Sequence, residues 1–211
     1  MDDPLPPVTT RILLATSNSG KAREFRALLP PGIEVVTLTD LGLPSPPEDA
    51  DTLRENAVTK ALAGALSGYL TVADDSGLEV DALGGAPGVH SARYAGTTVS
   101  DAANREKLLA QMRHLRPGQR TARFRCVVAI AGPSGLIATA EGHLDGAIAP
   151  VPAGDGGFGY DPIFELPGGR TLAQIPLIEK NALSHRGEAY RKALPALRAY
   201  LAGGPTEGMG R

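Results

Sequence analysis

"RILLATSNSGKAREFRALLPPG", residues 11–32, sets the pattern for the chain: strand, tight polar turn, helix, stop. "RILLAT" (11–16) is a short apolar run of strand length. "GKAREFRALL" (20–29) carries apolar residues at helical spacing until Pro30-Pro31-Gly32 ends it. "IEVVTL" (33–38) predicts a second strand, and the proline-rich "GLPSPPEDAD" leads into a helix over about 52–67. Leu53, Ala57, Val58, Ala61, Leu62 and Ala65 form the apolar stripe of that helix. "YLTVAD" (69–74) predicts a strand running into a long glycine-rich loop. Asp101 is the expected cap of the helix "AANREKLLAQMRHL". "TARFRCVVAIAG" and "GLIATAEGHLDGAIA" flank Pro133-Ser134-Gly135 and predict a hairpin. A last helix, capped by Ser184, is expected over 185–201, with Pro195 kinking or breaking it. Strands alternate with helices early and pair as a hairpin late. The pattern predicts an α/β fold, a mixed central sheet flanked by helices, in two lobes around a cleft. Residues 1–10 and 202–211 read as flexible tails around a single domain over 11–201.

At 211 residues the chain supports one substantial core. Its net charge is −2 and its Lys and Arg are scattered, which argues against binding a nucleic-acid polymer. A small anion needs only two or three well-placed cations. The single cysteine, Cys126, sits in an apolar run and reads as a buried structural thiol, so no disulfide framework exists. "MDDPLPPVTT" lacks the features of a signal peptide, and no apolar stretch approaches membrane-spanning length. A cytoplasmic protein is expected.

Five polar stretches exceed what a core explains. "TSNSGK" (16–21) lies at a strand-to-helix junction, where unpaired backbone N–H groups suit a phosphate. Lys21 opposes the helix dipole there unless an anion offsets it. A plain polar cap reads equally well, and the Walker spacing is absent. In "ENAVTK", Asn56 and Lys60 share a face beside the apolar stripe, facing either a cleft or solvent. "VADDSG" ends its strand on adjacent carboxylates, Asp74 and Asp75, which alternation points to opposite sides. One would meet a cation such as Mg²⁺, with Glu48 as a second carboxylate; an Asx-turn is the plainer alternative. "EKNALSHRGEAY" (179–190) places Ser184, His185 and Arg186 at a helix start, with Lys180 a further cation. "GGFGYDPIFE" (156–165) joins three glycines to Phe158, Tyr160 and Phe164 around Asp161. Cations for phosphate, carboxylates for Mg²⁺ and an aromatic platform together indicate a nucleoside triphosphate.

The blocks 12–21, 52–61, 73–96, 155–164 and 180–187 resemble the inosine triphosphate pyrophosphatase family, in order and with compatible spacing. That resemblance implies Mg²⁺-dependent hydrolysis of ITP, dITP and XTP to the monophosphate and pyrophosphate by a homodimer. By position, Thr16, Ser17, Asn18, Ser19, Gly20 and Lys21 would hold phosphate. Asp75 would be metal ligand and proton acceptor, with Glu48 as second metal ligand, Lys60 as catalytic cation, and Ser76 on the substrate. Phe158, Gly159, Tyr160, Asp161, Lys180, His185 and Arg186 would form the nucleoside pocket. Phe158 would stack on the purine and Asp161 bond its edge, with Arg186 a donor to the 6-keto oxygen; Tyr160 and Phe164 are expected to pack inward. A Maf-type pyrophosphatase and a non-hydrolysing nucleotide sensor are the alternatives. Aspartyl-phosphate chemistry is disfavoured, because position 77, where a second Asp would stand, is Gly.

Overall fold

Ile12, Leu13 and Leu14 bury their side chains completely although neighbours on a strand point to opposite faces. A strand buried on both faces belongs in the middle of a sheet with layers on either side. The computed structural model describes residues 10–29, 32–96 and 100–203 and shows that arrangement. Strand β1 (Thr10–Leu14) pairs in parallel with β2 (Ile33–Thr37) and β3 (Leu70–Val80). Helix α1 (Ser19–Leu28) joins β1 to β2, and α2 (Leu53–Ala65) stands between β2 and β3. The sheet continues antiparallel through β5 (Thr121–Gly132), β6 (Gly135–Ile148) and β7 (Phe164–Glu165), in the order β2-β1-β3-β5-β6-β7. The short β4 (Pro87–Gly88) pairs with β3 off this path.

One face of the sheet packs Ile12, Leu14, Val72, Val128 and Ile130 against Phe25 of α1 and Tyr190, Ala193 and Leu197 of α5 (His185–Leu201). The other packs Leu13, Ala73, Val127 and Ala129 against Leu53, Ala57, Ala61 and Ala65 of α2. Val58 and Leu62, also assigned to that stripe, are only half-buried and exposed. The far halves of β3 and β5 carry a separate core, in which Leu78, Val80 and Phe124 meet Leu108 and Met112 of α3 (Asp101–Met112) and Ile163 and Phe164. Two packed ends with the middle of β3 between them leave a cleft. Among the described residues no helix is long and apolar enough to cross a membrane.

The hairpin forms as the sequence predicts, and Cys126 is a fully buried free thiol. Three expectations need correction, and one element was missed. β3 does not stop at Asp74 but runs to Val80, because β5 pairs with it throughout, Asp74 opposite Val128 and Asp75 opposite Val127. The cap of α3 is Ser100, whose hydroxyl accepts from Ala103 N–H, and Asp101 is the first helical residue. Pro195 does not break α5, since Tyr190, Ala193 and Leu197 anchor both halves on the sheet. Lys180 lies on a separate short helix, α4 (Leu177–Leu183), which the spacing did not reveal. Pro30, Pro31 and most of both proposed tails (1–9 and 204–211) fall outside the described residues.

Candidate active site

The chain between β1 and α1 needs a partner for the first N–H groups of the helix. Asn18 supplies one by accepting from Lys21 N–H at 3.0 Å, and Thr16 Oγ1 accepts from Asn18 N–H. Ser17 Oγ lies 2.8 Å from Ser45 Oγ, tying this loop to the segment that carries Glu48. The Lys21 ammonium, awkward at a helix start, is offset by Asp74 Oδ2 at 3.3 Å.

Asp75 emerges on the other side of β3. Its Oδ1 is 3.3 Å from Lys60 Nζ and its Oδ2 accepts from Asn56 Nδ2 at 3.1 Å. Lys60 Nζ also donates to Glu48 Oε1. The face carrying Asn56 and Lys60 is therefore not solvated, both side chains being almost fully enclosed, and Lys60 lines the cleft. Burial, only partly offset by Lys60 and Lys21, raises the Asp75 carboxyl above its ordinary range, as suits a proton acceptor. Burial acts the same way on Glu48, but Lys60 outweighs it through charge and hydrogen bond and holds Glu48 low.

Behind this pair runs a buried chain of alternating charges. Asp161 pairs with Lys180, and Lys180 Nζ is 2.6 Å from Glu24. Glu24 accepts from Arg186 NH1 at 2.6 Å, and Arg186 Nε donates to Asp74 at 3.1 Å. Arg186 NH2 donates to Ser76 Oγ at 2.9 Å, so three of its donors are turned to protein acceptors. Burial pushes His185 well below its ordinary value, and Arg186 and Lys180 add to this, so it is a neutral imidazole. Its ring stacks on Phe124 at 4.5 Å.

The glycine-rich stretch closes the far wall. Phe158 N–H donates to Asp161 Oδ2, and the Phe158 ring stands 5.0 Å from Lys180 Nζ and 5.5 Å from Arg186 Cζ. Tyr160 turns inward, its hydroxyl donating to Ser91 O at 2.9 Å, and Phe164 is fully buried. Gly20 is where backbone freedom matters for packing: a Cβ there would sit 2.5 Å from the Phe158 ring. Gly20→Ala is therefore expected to push the ring off α1 and raise KM by about tenfold, with the melting temperature little changed. An unchanged KM would show that the position of Phe158 does not matter.

Asn18, Lys21, Glu48, Asp75, Ser76, Phe158, Gly159, Tyr160, Asp161, Lys180, His185 and Arg186 all line one cavity. Thr16, Ser17 and Lys60 line its continuation, which shares Asn18, Lys21 and Glu48. Ser19 lines neither, and Gly20 acts from beneath the ring. The sequence reading missed Glu24, whose only signal was a carboxylate between the buried Ala22 and Phe25. It also missed Asp101 and Arg105, which share one face of α3.

The buried ion pairs of the site join five carboxylates (Glu24, Glu48, Asp74, Asp75, Asp161) to four cations (Lys21, Lys60, Lys180, Arg186). The surplus lies at Glu48 and Asp75, which share one lysine. Among the described residues no group of three or more His, Cys, Asp or Glu could enclose a metal ion. Two carboxylates beside an open phosphate-sized space instead suit a hard divalent cation that draws its other ligands from water and substrate.

Residues 12–196 match the model of the Ham1 family. A dITP/XTP pyrophosphatase of Desulforamulus reducens is 50% identical over 196 residues, covering 90% of this chain and 98% of the relative. That of Bacillus subtilis is 45% identical over 191 residues, covering 89% and 96%. The structure of a HAM1 protein from Coxiella burnetii superposes with a TM-score of 0.79 at 39% identity, covering 90% of this chain and 98% of that one.

Proposed function

The chain belongs to the Ham1 family, and from that premise we propose that it is a pyrophosphohydrolase of ITP, dITP and XTP. It would release the nucleoside monophosphate and pyrophosphate and so clear deaminated purine nucleotides. The carrying observation is a single cavity that joins the Asn18–Lys21 helix start, the Glu48 and Asp75 carboxylates, and the Phe158 wall. A triphosphate has that order of parts: anionic tail, reacting phosphorus, base. The relatives named dITP/XTP pyrophosphatase support the same reading. Residues 11–201 would act as one catalytic domain, in a cytoplasmic homodimer.

Glu48 and Asp75 would hold Mg²⁺, which when bound neutralises charge on the phosphoryl oxygens. The free helix start and Lys21 would receive the pyrophosphate end of the substrate. Asp75 would take a proton from the water that attacks the α-phosphorus, and Lys60 would keep its carboxylate oriented. The pyrophosphate leaves with the electron pair of the broken P–O bond. Phe158 would hold the purine by stacking, which does not read the base edge. Selection would fall to donors facing the 6-keto oxygen, against which adenine presents an amino group.

A panel of ITP, XTP, dITP, GTP and ATP with pyrophosphate detection tests the substrate class, ITP and XTP being expected to exceed ATP by orders of magnitude. Turnover in ¹⁸O-water tests the bond cleaved. Label is expected in the monophosphate, or in pyrophosphate if water attacks the β-phosphorus. Label in orthophosphate beside a nucleoside diphosphate would mean γ-attack and would end the pyrophosphatase reading.

A further inference from the structure

The wall carrying Phe158 is held from two sides. From inside, Asp161 accepts from Phe158 N–H and is itself paired with Lys180. From the other side, Gly159 is gripped by α3, whose Asp101 also lines the cavity. Asp101 Oδ2 accepts from Gly159 N–H at 2.7 Å, and Arg105 NH1 donates to Gly159 O at 2.7 Å. Asp101 and Arg105 are four apart on one helix face, so together they reach the N–H and the C=O of a single residue. Gly159 adopts φ +60°, in the left-handed region, which lets this one residue present both its N–H and its C=O to the helix. Asp101 stands in the first turn of α3, where a carboxylate complements the helix dipole.

The helix is itself anchored to the cleft. Asn104 accepts from Ala95 N–H and donates to Ala92 O, and Lys107 donates to Tyr94 O. Ser91 and Ala92, in the turn that α3 holds this way, line the cavity, and Ser91 O receives the Tyr160 hydroxyl. The aromatic wall is thus fixed to the same helix that fixes the opposing turn.

We infer that Asp101 and Arg105 are positioning residues that clamp Gly159 by its N–H and C=O and thereby set the place of the Phe158 ring for the nucleoside, without taking part at the phosphate end. The inference rests on the nucleoside pocket proposed above. Neither side chain needs to touch the base. Losing either bond frees a glycine-rich segment whose ring must be ordered again at each binding event, a cost that falls on KM.

The test uses Asp101→Ala, Asp101→Asn, Arg105→Ala and Arg105→Lys in the full chain. Readouts are kcat and KM for ITP, inhibition by inorganic tripolyphosphate, and hydrogen–deuterium exchange over 154–161. Each alanine variant is expected to raise the KM for ITP on the order of tenfold and leave kcat within about twofold. Exchange over 154–161 should quicken and inhibition by tripolyphosphate, which has no base, should stay the same. Asn and Lys, which can still accept and donate at these atoms, should recover most of the affinity. If Arg105→Ala does not fold, Arg105→Met, with a comparable stem and no donor, carries the same expectation. An unchanged KM, or unchanged exchange over 154–161, overturns the clamp. So does an equal weakening of tripolyphosphate, which would indicate general damage to the cleft. Should the wild-type protein leave ITP intact, the proposed function fails, while the exchange measurement still decides the clamp.

Discussion

Asp75→Asn is expected to lower kcat by about a thousandfold or more while the protein still folds. Asp75 is 6% exposed, faces Lys60 with one oxygen and accepts from Asn56 with the other. An asparagine keeps the shape but turns an NH₂ toward one of these two donors, so neither metal nor water meets a basic oxygen in the right place. Loss of a general base alone contributes about 10²- to 10⁴-fold, and loss of a metal ligand adds to it. The backbone is held independently by β5, opposite Val127, so circular dichroism and the melting transition should remain cooperative. Single-turnover rates on ITP with excess enzyme separate a slow reaction from a missing one. Near wild-type turnover would remove Asp75 from the mechanism.

Arg186→Ala is expected to act first on stability, at about 3–5 kcal/mol, because it leaves buried carboxylates without their partner. Arg186 is 2% exposed and bridges Asp74 and Glu24, neither of which reaches water. Burial works to raise both carboxyls, but Arg186 with Lys21 holds Asp74 low, and Arg186 with Lys180 holds Glu24 low. A carboxyl depressed in the folded protein stabilises it above the unfolded pKa, and that stability is lost as pH falls through the folded value. Without Arg186 the balance tips toward burial, and the folded values rise. The stability gap between wild type and variant should thus be widest near neutrality and narrow as pH falls toward 4. Urea melts at several pH values measure it, and a gap that widens on acidification would contradict the ion chain. For activity, ITP and ATP use should fall by similar factors, because three guanidinium donors already serve Ser76, Asp74 and Glu24. A selective loss of ITP use would return Arg186 to the role of base reader, which is how the sequence alone presents it.

That contrast marks where local reading ends. Strand and helix positions were legible because burial imposes a period of two or 3.6 on neighbouring residues, as in "RILLAT" and "TLRENAVTKA". The cap at Ser184, a polar cap before α1 and the turn at Pro133-Ser134 were legible because each is satisfied within a few residues. The motif blocks named the candidate residues, and the structure gathers nearly all of them at one cleft. The end of β3 was not legible: adjacent carboxylates look like a strand terminus until a partner strand and cations from three helices are placed around them. Glu24 and Arg186 are 162 residues apart, and Arg186 and Asp74 are 112 apart. No spacing rule relates such pairs. The sequence by itself determined which side chains are present and which local elements carry them. Only the tertiary structure decided which charges are spent on each other and which face the cleft, because a buried charge takes its partner from whatever the fold brings within a few ångströms.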